Sequence, residues 1–268
     1  MTFLSSSHAR AGTIVLALAL IGGIGCVSVD AASRARYQQR LRDHETVRQR
    51  SIAALEPAAA AGDPRARSAL ATVLLSAHDL TQNDVPRALA LLEQAAAQDD
   101  GRAQALLGDI LVGSSPQVRT GRQTPPSRQD AERGIALLQR AATKACTYPR
   151  PGEIRSDIRP ALEAGNMLNA AGRADESLLW RARDILHCGR VNIELLSWRA
   201  QAAVSSPADR IGALALLTLT GDAAATAKVR ATLPAADAAA AERLAADLRR
   251  RVADSERDYP APPRKEQP

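Results

Sequence analysis

Aromatic side chains are scarce, at 2 % of the 268 residues. Beyond residue 25 they reduce to Tyr37, Tyr148, Trp180, Trp198 and Tyr259. A groove that stacks long glycans on aromatic platforms is therefore not expected. Trp180 and Trp198 fall within helical patterns and read as core residues. Runs of β-branched residues and alternating apolar patterns are nearly absent, which excludes a large sheet. Histidine is equally sparse. His8, His44, His78 and His187 are scattered, with no H-E-x-x-H spacing. The His187-Cys188 pair lacks the third and fourth ligands that a metal site needs, and His187 reads as a helix-end residue favoured by the dipole. No phosphate loop, nucleophile elbow or dinucleotide fingerprint occurs. Acidic residues are plentiful enough for paired-carboxylate chemistry, but on helices they read as solvated faces. No catalytic residue, metal or cofactor is expected.

Alanine and leucine supply most of the apolar content, and both are strong helix formers. The formal charge of +6 comes from scattered arginines and reads as a basic, solvated surface. Nucleic acid is not an expected partner, because the N-terminus reads as an export signal. Met1 to Gly12 is mostly polar and carries Arg10 without an acidic residue. Thr13 to Gly25 is an uncharged apolar run, and Cys26 follows the small Gly25. This is the layout of a secretory signal. The run falls short of the about 20 apolar residues that span a bilayer.

Gly23-Ile24-Gly25-Cys26 resembles the bacterial lipobox, whose cysteine thiol receives a diacylglyceryl group and becomes the new N-terminus. The usual leucine three places before the cysteine is Gly23 here. Val27 stands where an acidic residue would hold such a protein at the inner membrane. The resemblance therefore implies lipid on Cys26 and a place in the outer membrane, facing the periplasm. Cys146 and Cys188 remain as an even pair in an oxidising compartment. They are either bridged or two buried thiols; sequence does not decide between these.

The middle of the chain repeats itself. Ala66–Leu75 aligns with Ala103–Val112, 37 residues on, and Arg87–Ala96 aligns with Arg133–Ala142, 46 residues on. The extra 9 residues fall in Gly113–Arg128, a loop rich in Ser, Pro, Gly and Arg. Leu89, Leu92 and Ala96 share one helix face, as do Ile135, Leu138 and Ala142. Asp63-Pro64, and Asp84 with Pro86, read as helix starts. Such hairpins bury their apolar faces by stacking on one another.

Ala103-Gln104 with Leu107-Gly108, followed by Ala136–Ala142, resembles the Sel-one-like repeat, a variant of the tetratricopeptide repeat. Gly108 fits that family's close helix contact. Leu91 and Leu137 lie near the family's second-helix aromatic, and Ala71 replaces the glycine in the first copy. Ile158–Ala171 and Asp175–Cys188 form a weaker third unit, with Trp180 near the aromatic position. Further helices are expected over Asn192–Val204, Ala208–Leu219, Asp222–Leu233 and Ala235–Val252.

The expected architecture is an all-α solenoid of helical hairpins. It comprises a signal peptide over 1–25, a lipid-anchored linker or first helix over 26–56, repeats over 57–253 and a disordered tail over 254–268. Arginines between Arg34 and Arg50 make the linker a solvated spacer or a basic arm near anionic lipid. The resemblance implies protein binding, in the manner of the lipoproteins that scaffold exopolysaccharide export, including that of alginate. No sequence feature supports direct polysaccharide contact. The rival readings are an adaptor or regulator of a peptidoglycan enzyme or secretion system, and a hydrolase concealed in a helical solenoid.

Overall fold

The computed structural model describes residues 8–77, 83–114, 126–151, 157–189 and 191–263, with side chains from residue 33 onward. Contacts divide the chain into two units, Met1–Arg50 and Ser51–Pro268. The described residues form an all-α protein of eleven helices, with one two-residue strand pair.

Helix α1 spans His8–Ala60. Val27–Glu56 contains neither glycine nor an internal proline, so nothing in it breaks a helix. In the first unit its surface is laced by local pairs. Gln39 Nε2 donates to Asp43 at 2.8 Å, and the Arg48 guanidinium donates twice to Glu45, at 2.8 and 2.9 Å. Hydrogen bonds from Arg48 and then Gln49 hold the Glu45 carboxyl below its usual range.

The second unit begins on the last turns of α1. Ile52, Leu55 and Ala59 pack into its core. The packing of the second unit therefore starts before residue 57, inside the segment read as a linker or first helix. Pro57 does not mark a boundary: it lies inside α1, where it withdraws one helical N–H from the last turn.

Helices α2 (Pro64–Leu74), α3 (Val85–Ala97), α4 (Gly101–Leu111) and α5 (Arg128–Ala142) follow. Each start is capped by the residue before it. Asp63 accepts from the Arg65 and Ala66 amides at 2.8 and 3.2 Å. Asp84 accepts from Arg87, Asp100 from Ala103 and Ser127 from Asp130, at 3.2, 2.8 and 3.0 Å. Each cap satisfies amides that no helical carbonyl can reach. Most of the loop read between Gly113 and Arg128 lies outside the described residues.

The strands β1 (Tyr148–Pro149) and β2 (Asp157–Ile158) pair antiparallel. Then come α6 (Pro160–Ala170), α7 (Ala174–Cys188), α8 (Ile193–Gln201), α9 (Pro207–Leu219), α10 (Ala223–Arg230) and α11 (Ala235–Asp254). Ser206 and Asp209 close a capping box at the start of α9.

Helices pack as consecutive hairpins: α2 with α3, α4 with α5, and α6 with α7. Each hairpin also contacts the next, through α3 with α4 and α5 with α6. The hairpins close on small residues. A Cβ built on Gly108 would lie 2.8 Å from Leu138 Cγ and 2.9 Å from the Gly134 carbonyl oxygen. One built on Gly134 would lie 3.0 Å from the Gly108 oxygen. The third hairpin repeats this crossing: Gly165 faces Arg181 Cγ at 2.9 Å and the Ser177 oxygen at 3.2 Å. Ser177 and Arg181 stand 43 residues beyond Gly134 and Leu138. In the first hairpin the corresponding residues are Ala71 and Ala88, both fully buried.

Gly108→Ala is expected to destabilise the protein. Overpacking a closed core costs about 1–3 kcal/mol. Removing a helical glycine returns at most about 1 kcal/mol. Urea unfolding would measure the difference, and a midpoint at or above wild type would show that α4 and α5 can part freely.

Surface ion pairs link alternate helices along the stack. Arg87 on α3 reaches Glu56 on α1 at 2.7 Å, Arg133 on α5 pairs with Glu93 on α3, and Arg173 before α7 reaches Glu132 on α5 at 2.8 Å. Exposed pairs of this kind contribute about 0–1 kcal/mol each. A buried pair, Arg150 with Asp109 at 2.8 Å, ties the strand segment to α4.

The pattern changes at α7. Trp180 closes the first apolar cluster, while Ala182 and Ile185 open the second. Both α9 and α11 pack on α7, and α8 and α10 pack on α9 and on each other.

The tail expected to be disordered over 254–268 is ordered as far as it is described, to Pro263. A 3₁₀ turn over Ser255–Arg257 leads to Tyr259. The Tyr259 ring meets Trp180 edge-on, with centroids 5.0 Å apart. Arg183, 3 % exposed, donates to the Ser255 hydroxyl at 2.8 Å and to the Tyr259 carbonyl. Four prolines and many charges made this segment read as unfolded, but one aromatic and one buried arginine outweigh composition.

Candidate functional site

Among the described residues, no helix is long and apolar enough to cross a membrane. Cys26 falls on α1, and its side chain lies outside the described residues. Cys146 and Cys188 form a disulfide, with Cα atoms 5.6 Å apart. The bridge joins the segment after α5 to the last residue of α7. Cys188 is thus not a thiol partner for His187, whose Nε2 lies 3.7 Å from Glu256. His78 lies outside the described residues. Among the described residues no cluster of three or more His, Cys, Asp or Glu side chains is arranged to hold a metal ion.

The site that sequence reasoning missed begins three residues beyond the bridge. Gly189 ends α7 in the left-handed region (φ 63°), where glycine is unstrained. Asn192 then caps α8 by accepting from the Leu195 amide at 2.8 Å. Disulfide, glycine and cap together fix where α8 starts.

Helix α8 carries two apolar stripes. Ile193, Leu196 and Ala200 face the second cluster. Leu195 and Trp198, three apart on another face, are 43 % and 59 % exposed. Trp198 is therefore not the core residue its helical setting suggested. The two stripes lie too far apart around a 3.6-residue turn for one neighbouring surface to cover both. The signal was present in the helix sequence, Ile-Glu-Leu-Leu-Ser-Trp-Arg-Ala-Gln, which is apolar on more than one face.

Beside this face lies a cavity of about 210 Å³, formed by α6, α7, α8 and α9. Leu162, Ile185, Val191, Leu195, Leu196 and Leu216 make most of its wall. Its polar groups are dominated by arginine: Arg159, Arg181 and Arg199, with Asp184, Asn166 and Asn192. Arg159 pairs with Asp184, which is 2 % exposed. Arg181 donates to Asn166 Oδ1 at 3.0 Å, and its own Nε–H is buried without an acceptor. Burial lowers the Arg181 pKa, and the nearby Arg199 lowers it further against the weaker pull of Asp209. Two like charges thus share an apolar-walled pocket, and neither makes an ion pair among the described residues.

The arrangement offers an exposed aromatic, an aliphatic wall and cationic hydrogen-bond donors. No protein family, curated protein or solved structure matches the chain.

Proposed function

We propose that this protein is an exported, lipid-anchored scaffold that binds protein partners in a bacterial cell envelope. The observation that carries the reading is the exposed Leu195–Trp198 face of α8, set beside the arginine-lined cavity. Tryptophan and arginine are among the residues enriched in protein-binding hot spots. Stacked hairpins are a common support for extended partner surfaces. The Cys146–Cys188 bridge suits an oxidising compartment. Lipid on Cys26 would hold the array at the outer membrane, and an exopolysaccharide export assembly is the setting that the repeat resemblance favours.

Two measurements test this reading. Labelled palmitate is expected to enter the wild-type protein and not Cys26→Ala; equal labelling of both would remove the anchor. Crosslinking in intact cells, followed by purification, is expected to recover envelope proteins with wild type that are lost with Trp198→Ala. An identical set with both proteins would refute binding through α8.

A further inference from the structure

The chemistry of the cavity narrows the class of partner. Of its three arginines, Arg159 is committed to Asp184. Asp209, whose charge acts on Arg181, is engaged in a capping box with the Ser206 amide and hydroxyl. Arg181 and Arg199 make no ion pair among the described residues, and they repel each other beside an apolar wall. An anion seated in the cavity would pair with the two guanidinium groups that line it and relieve their repulsion.

The anion must also bring apolar groups. Six of the cavity's residues are aliphatic, and Leu195 continues outward to Trp198 along one face of α8. A hydroxyl-rich sugar acid would place polar groups against that wall, which costs free energy where no partner is supplied. A lipid phosphate would need the chain's flank laid on a bilayer, whereas the cavity is a pocket of only about 210 Å³. An aspartate or glutamate side chain flanked by aliphatic residues satisfies both halves of the site.

We infer that the α8 face docks a partner protein through an acidic side chain seated against Arg181 and Arg199, with adjoining apolar residues on Leu195 and Trp198. This rests on the protein-binding reading above and adds the chemistry of the partner's segment. Arg199 is the specificity-determining residue that a variant can remove most cleanly, because it is exposed and makes no ion pair among the described residues. Arg181 packs against Gly165 and Asn166, so its loss also touches the fold.

The test is selection of random peptides displayed on phage against the full chain. Wild-type protein is expected to enrich peptides with Asp or Glu flanked by Leu, Ile, Val or Phe. Synthetic copies with Asn or Gln in place of the acid are expected to bind at least tenfold more weakly. With Arg199→Gln that acidic preference should fall severalfold while apolar peptides are still enriched. Trp198→Ala should abolish enrichment, and thermal unfolding monitored by circular dichroism should show both variants folded. Apolar peptides enriched without any acidic preference would overturn this inference and leave the protein-binding reading standing. An acidic preference unchanged in Arg199→Gln would also overturn it. No enriched peptide, together with binding of oligouronates or of phosphatidylglycerol vesicles, would overturn both.

Discussion

Replacing Cys146 and Cys188 with serine is expected to cost the second unit about 2–4 kcal/mol of stability. The bridge spans 42 residues of sequence, and that loop contains β1, β2, α6 and α7. Releasing it enlarges the unfolded ensemble, which is the main way a cross-link of this length stabilises a fold. The folded state also loses a tie at a sensitive place. The bond holds the last residue of α7, and the chain turns at Gly189 to begin α8 four residues later. Loosening it should therefore be felt first at α8, ahead of the interior hairpins α2–α5. Urea unfolding with and without reductant gives the global value, and hydrogen exchange resolves the local one. Equal midpoints for the oxidised protein and the double serine variant would show that the bond contributes nothing. Protection lost in α4 before α8 would contradict the proposed local role.

Much of this architecture was legible in the sequence because it depends on local chemistry. Asp63 and Asp84 announce helix starts through side chains that reach their own amides. The repeat between Ala66–Leu75 and Ala103–Val112 predicts a hairpin contact that Gly108 and Gly134 make. Helix ends differ from expectation by a residue or two in most cases. What escaped is decided at a distance. Ile52 and Leu55 look like the end of a spacer or first helix until the first apolar cluster is there to cover them. Tyr259 sits in a segment whose composition favours disorder, and only Trp180 and Arg183 give it a place. Trp198 looks like Trp180 on its own helix. The difference is that α9 and α10 approach α8 from the side opposite its second stripe. Sequence periodicity marks an apolar face; it does not say whether the fold supplies anything to bury it.

The two tryptophans are expected to behave in opposite ways for that reason. Trp180→Ala should destabilise the protein by about 3–5 kcal/mol, the usual cost of deleting a buried aromatic. Trp180 is 4 % exposed and stands at the seam between the two apolar clusters. It supports Tyr259 edge-on, and the Arg183 guanidinium lies 5.2 Å from its ring. Its removal leaves a cavity and also withdraws the ring from a buried cation. Burial already lowers the Arg183 pKa, so that charge tolerates little further loss of support. The tail should then detach, and limited proteolysis between Asp254 and Pro263 should accelerate. Tyr259→Ala should release the same tail at lower cost, because Tyr259 is only partly buried and stands at the edge of the first cluster. Trp198→Ala, which removes an exposed ring, should shift stability by about 0.5 kcal/mol or less. Chemical denaturation of the three variants decides the matter. A Trp180→Ala protein within about 1 kcal/mol of wild type would mean that the seam at α7 is not closed by this ring. The contrast also sets how binding results are read: loss of a partner in Trp180→Ala reports on folding, and only loss in Trp198→Ala reports on the surface of α8.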